Sequence, residues 1–79
     1  MTSSVTSRLI QLAARRFGRD ASALSPSDDL FEALEIDSVQ AMDLLTELED
    51  AFDVEIPDYE LQDARTFAAL GEVIARRVS

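Results

Sequence analysis

Few side chains in this 79-residue chain could do chemistry, and Ser38 has the most informative setting. It follows Asp37 and opens a stretch, Ser38 to about Asp53, whose apolar positions recur at helical spacing. A long connection precedes it, so its hydroxyl is expected to face solvent at a helix start, where backbone N–H groups favour a phosphate. Asp37 beside it is suited to a divalent metal or a basic partner. A serine becomes a catalytic nucleophile when a neighbouring base activates it. The chain has no histidine, cysteine or lysine to do so. Ser38 therefore reads as the substrate of another enzyme, and the protein as a non-enzyme. The plain alternative is that Asp37 and Ser38 only cap a helix, as residues of these types commonly do.

The elements that must hold Ser38 are helical. Ser3 or Ser4 is expected to cap a first helix with an apolar stripe of Val5, Leu9, Leu12 and Ala13, Phe17 near its end and Gly18 as its stop. A connection from about Arg19 to Asp37 carries turn chemistry at Ser25-Pro26-Ser27-Asp28-Asp29. Leu24, Leu30, Phe31, Leu34 and Ile36 are expected to pin it to the core, with a short helical turn after Ser27. Asp37 or Ser38 caps the second main helix. Its apolar face holds Ala41, Leu44, Leu45, Leu48 and Phe52, and its opposite face Asp43, Glu47 and Asp50. Pro57 keeps Ile56 extended, and Pro57 to Leu61 starts a short helix. Thr66 caps a last helix with Phe67, Leu70, Ile74 and Val78 on one face and Arg76 and Arg77 in its final turn, where cations suit the dipole. The expectation is one all-α domain over 1–79, with three main helices, one short helix, a long first loop and no strand.

Net charge is −9, from 16 acidic residues and 7 arginines. The acids are concentrated between Asp28 and Asp63, a span without a basic residue, and this crowding exceeds what solubility needs. Nucleic acid is disfavoured as a partner, since binding it relies on cations meeting phosphates. A basic protein surface is the expected partner. No apolar run is long enough to span a bilayer, and the start lacks the pattern of a secretory signal, so a cytoplasmic monomer is expected.

The stretch Leu34-Glu35-Ile36-Asp37-Ser38-Val39, Met42-Asp43-Leu44-Leu45, and Glu49-Asp50-Ala51-Phe52-Asp53-Val54-Glu55-Ile56-Pro57-Asp58 resembles acyl carrier proteins, and with Thr66-Phe67 the similarity covers about residues 28–74. The resemblance implies a four-helix carrier bundle. It implies that Ser38 receives phosphopantetheine from coenzyme A in a magnesium-using transfer, and that the arm's thiol carries acyl groups as thioesters. It also implies partners: a phosphopantetheinyl transferase, and acyl-transferring or condensing enzymes of fatty acid or polyketide biosynthesis with basic docking patches. Toward these partners Asp37, Val39, Met42, Asp43, Glu47 and Asp50 are the expected contacts, Val39 and Met42 forming an apolar centre ringed by acids. The family usually has glycine where this chain has Glu35, which is expected to take an ordinary backbone shape. In a carrier the apolar stripes could line space for the acyl chain as well as form the core.

Two other readings stand beside this one. An aminoacyl or D-alanyl carrier would use the same serine, and a non-covalent acidic helical interaction module would not need it. A calcium site is disfavoured, because the acids follow helical spacing and no loop offers alternating ligands around a central glycine. No metal ligand set is assigned. The Ser- and Thr-bearing start and short tail favour a free-standing carrier over a piece of a synthase.

Overall fold

The computed structural model describes residues 2–78, and among these the side chains of all but Thr2, Ser3 and Asp58. Five α-helices follow one another: α1 (Thr2–Phe17), α2 (Leu30–Leu34), α3 (Ser38–Phe52), α4 (Asp58–Asp63) and α5 (Phe67–Val78), with a 3-10 turn at Ala21–Ala23 between α1 and α2. No strand occurs among the described residues; the extended backbone makes a single bridge, Asp29 to Thr66. The three long helices are the expected ones. The first connection is more ordered than a loop, since it holds both the 3-10 turn and α2.

Local chemistry explains these starts and stops. Asp29 caps α2, its Oδ1 accepting from the Phe31 amide at 2.9 Å and the Glu32 amide at 3.2 Å. The cap is thus Asp29 and not Ser27, which stays exposed. Thr66 caps α5 as expected, accepting from the Ala69 amide at 3.1 Å. The helix already runs from Thr2, so Ser4 lies within α1 rather than at its start, and the expected Ser3 cap falls outside the described side chains. Three helices end on a left-handed residue: Gly18 (φ 66), Glu35 (φ 55) and Asp53 (φ 55). In each case the next amide reaches back five residues, Arg19 to Ala14, Ile36 to Phe31 and Val54 to Glu49. This hydrogen bond satisfies a carbonyl that the helix end would leave open.

The core is apolar. Leu9, Leu30, Leu34, Leu48, Phe67 and Ile74 are all fully buried, each worth about 1.5–3 kcal/mol of transfer free energy. The face of α1 is wider than its stripe predicted, since Thr6, Ile10 and Ala14 are buried while Val5, Leu12 and Phe17 pack only partly against the core. The width follows from α5, which packs closely on α1 at Gly71. A Cβ there would overlap the Thr6 hydroxyl and lie 3.2 Å from Thr6 Cα, so only glycine permits this approach. On α5, Val73 is buried as well, and Val78 at the end of the apolar face is half exposed. Phe52 is likewise only partly buried, with the Arg8 guanidinium 4.7 Å above its ring.

Candidate functional site: the turn and helix start around Ser38

Ser38 is the first residue of α3, a helix of 15 residues. Asp37 precedes it in extended backbone and closes a reciprocal cap. Its Oδ1 accepts from the Gln40 amide at 2.9 Å, and Gln40 Oε1 accepts from the Asp37 amide at 3.2 Å. Such a box satisfies two amides at once and fixes the first helical turn. Asp37 is therefore engaged in capping, which leaves Ser38 as the unoccupied hydroxyl. That side chain is exposed, and no described residue hydrogen-bonds it. A free hydroxyl at a capped helix start, beside amides suited to a phosphate, fits a phosphate-linked group attached by another enzyme. Among the described residues no group of three or more potential metal ligands occurs.

The approach to Ser38 departs from expectation at Glu35. Its backbone is left-handed, φ 55 and ψ 49, where an ordinary shape was expected. The reason is the end of α2, which turns the chain sharply toward α3 and needs a left-handed residue there. Arg19, just past the end of α1, holds this residue, with Nη1 3.1 Å from Glu35 Oε2 and Nη2 donating to the Leu34 carbonyl at 3.2 Å. Upstream, Arg65 ties the start of α2 to the entry of α5. It bonds Asp29 Oδ2 at 3.0 Å and stacks 4.5 Å from the Phe31 ring centre. Partial desolvation pushes the Asp29 carboxyl up, but the Arg65 hydrogen bond, the Glu32 and Phe31 amides and the Arg65 charge outweigh it and hold it below its usual value. Asp20, which caps the 3-10 turn, is also lowered, first by the Ser22 hydroxyl and then by the Ser22 amide.

The expected partner residues divide. Val39 is 69% exposed, an outward apolar side chain next to Ser38. Asp43 and Asp50 are exposed on the same helix. Met42 is half-buried and packs against the core, so Val39 dominates the apolar surface beside Ser38. Glu47 turns to the flank, its Oε2 lying 3.2 Å from Arg16 Nε of α1 without hydrogen-bond alignment. The acid run thus does have counterions. Asp29, Glu35, Glu47 and Glu60 each meet an arginine from the flanking segments. The acids left facing solvent on the outer side of α3 that Val39 shares are Asp43 and Asp50.

Sequence reasoning missed Arg19, Gln40 and Glu49. The Asp-x-x-Gln spacing was a usable signal for Gln40. Nothing local marks Arg19, or Glu49, whose Oε2 accepts from the Ile56 amide at 2.8 Å and folds the segment after α3 back on the helix. An apolar groove of about 730 Å³ lies between α1, the 3-10 turn and the start of α5, lined by Thr6, Ile10, Ala21, Leu24, Pro26 and Ala68. No lining residue belongs to the Ser38 turn.

An all-helical bundle that presents an unengaged serine at a capped helix start is compatible with a carrier domain. Comparison with known proteins gives the same class. Residues 7–74 match the family model described as a phosphopantetheine attachment site. An acyl carrier protein of Syntrophobacter fumaroxidans is 30% identical over 69 residues, covering 87% of this chain and 85% of its own. One of Rubrobacter xylanophilus is 37% identical over 62 residues, covering 78% and 76%. One of an Exiguobacterium species is 32% identical over 65 residues, covering 82% and 78%. The chain belongs to the acyl carrier protein family, and its cofactor is a covalently attached phosphopantetheine. Membership implies exchange with a phosphopantetheinyl transferase and biosynthetic enzymes. No helix among the described residues is long and apolar enough to cross a membrane.

Proposed function

We propose that Ser38 is the attachment point, and that residues 1–79 act as one monomeric, cytoplasmic carrier domain without catalytic activity of its own. The observation that carries this is the exposed Ser38 hydroxyl, free of partners at the first position of α3 while Asp37 takes the capping role. In the transfer, a Ser38 Oγ–phosphorus bond forms as the pyrophosphate link of coenzyme A breaks. The nucleotide part leaves, and the hydroxyl proton passes to a base of the transferase. The thiol of the attached arm carries acyl groups as thioesters between enzymes of fatty acid or polyketide biosynthesis. Val39 supports docking as an exposed apolar contact, with Asp43 and Asp50 on the same side of the helix and Met42, Glu47 and Asp37 contributing less freely. Their charge suits a basic patch, which raises the association rate more than it lengthens the complex.

The test is intact-mass measurement after incubation with coenzyme A, magnesium and a broad-specificity phosphopantetheinyl transferase. Wild type is expected to gain one phosphopantetheine and Ser38→Ala none. Modification of Ser38→Ala, or none of wild type with several transferases, would sink the reading.

A further inference from the structure

The turn that leads into Ser38 contains a residue in an unfavourable shape. At φ 55 and ψ 49, Glu35 sits where a Cβ crowds the following carbonyl. The other two left-handed helix ends carry Gly18 and Asp53, a residue without a Cβ and one of a type that enters this region more readily. Glu35 has neither advantage. It has Arg19 instead. One guanidinium nitrogen meets the Glu35 carboxylate at 3.1 Å and another donates to the Leu34 carbonyl at 3.2 Å. A rigid fork that grips consecutive residues, one by carbonyl and one by side chain, sets direction as well as distance. Arg19 is anchored in turn, since its amide bonds the Ala14 carbonyl at 2.7 Å across the end of α1.

Little slack separates this grip from Ser38. Ile36 and Asp37 alone intervene. The Ile36 amide is bound to Phe31 at 3.1 Å, and Asp37 is locked in the capping box. The backbone direction at Glu35 therefore passes to the first turn of α3.

We infer that Arg19 and Glu35 are positioning residues for the modification of Ser38: the Arg19 fork keeps Glu35 left-handed, and that turn holds Ser38 outward for the transferase. The inference rests on Ser38 being the attachment point. Loss of the fork leaves the turn formed for only part of the time, and the apparent rate falls with that fraction.

The experiment compares initial rates of phosphopantetheine transfer on the full chain for wild type, Arg19→Ala, Glu35→Gly and the double variant, with amide hydrogen exchange at Ile36, Asp37 and Ser38 as a second readout. Arg19→Ala is expected to lower kcat/KM roughly three- to tenfold and to speed exchange in the turn. Glu35→Gly alone stays near wild type. The double variant returns to within about twofold of wild type, because glycine holds the turn without a fork. A double variant as slow as Arg19→Ala overturns the inference, since Arg19 would then act by touching the transferase. Unchanged exchange in Arg19→Ala overturns it too. Absence of transfer to wild type overturns the Ser38 reading instead, and the exchange data then decide the fork alone.

Discussion

Replacing Asp37 separates two jobs that its position beside Ser38 would otherwise confound. If its main work is capping, Asp37→Ala removes the 2.9 Å bond to the Gln40 amide and takes away what orients Gln40 for the 3.2 Å return bond. Loss of an N-cap costs about 1–2 kcal/mol. In a domain of this size each kcal/mol moves the midpoint by about 4–8 °C, so Asp37→Ala should melt roughly 5–15 °C below wild type. Asparagine caps nearly as well and forfeits only the charge at the helix N-terminus, about 0.3–1 kcal/mol. Asp37→Asn should thus melt only about 1–8 °C below wild type. The assay is thermal unfolding followed by circular dichroism, with phosphopantetheine transfer measured well below either midpoint. Slower transfer to Asp37→Asn with the fold intact would mean that the charge also serves the partner. Equal destabilisation by alanine and asparagine, or none by either, would refute the capping argument, because the hydrogen bonds would then not be what fixes the start of α3.

Two further outcomes follow from the packing and the charges. Gly71→Ala should destabilise by about 1–3 kcal/mol in urea titration, because the new methyl meets Thr6 on the facing helix; a midpoint equal to wild type would mean that α1 and α5 separate freely. The Asp29 carboxyl is lowered from 3.8 in the folded state, so its contribution is fully present above that value and is lost as pH falls through the lower folded value. Stability should therefore drop more steeply below about pH 4 in wild type than in Asp29→Asn, and parallel acid profiles would count against the Arg65 tie.

The sequence made the helices legible because each long helix repeats its apolar residues at a single period, and the structure buries Ala41, Leu44, Leu45 and Leu48 on α3 accordingly. Ser38 was legible for a related reason: a polar pair followed by such a run marks a helix start, and the missing histidine, lysine and cysteine exclude self-activation. What escaped depends on neighbours distant in sequence. The wider face of α1 comes from α5 at Gly71. Among Ser25, Ser27, Asp28 and Asp29, any could cap α2 by type, and the bond to Arg65, 36 residues away, accompanies the choice of Asp29. The left-handed shape of Glu35 is invisible because residue type points away from it. A helix end that must turn tightly selects the shape, and an arginine 15 residues from the bonded carbonyl supports it.

The same long-range pairing changes what the acidity is for. Self-repulsion across Asp28 to Asp63 would weaken the fold if all those acids faced one another in water. Arginines from both ends of the chain instead meet Asp29, Glu35, Glu47 and Glu60. Exposed pairs of this kind add about 0–1 kcal/mol each, too little to explain the fold but enough to relieve the repulsion. Their placement matters more than their strength. The pairs at Asp29 and Glu35 bracket α2 and lead into Ser38, and the pair at Glu47 takes one acid out of the outward face of α3. Asp43 and Asp50 remain exposed on the helix that carries Val39 and Ser38. Asp43 and Asp50 thus keep negative charge on the helix that carries Ser38, the proposed attachment point, which suits a basic partner there.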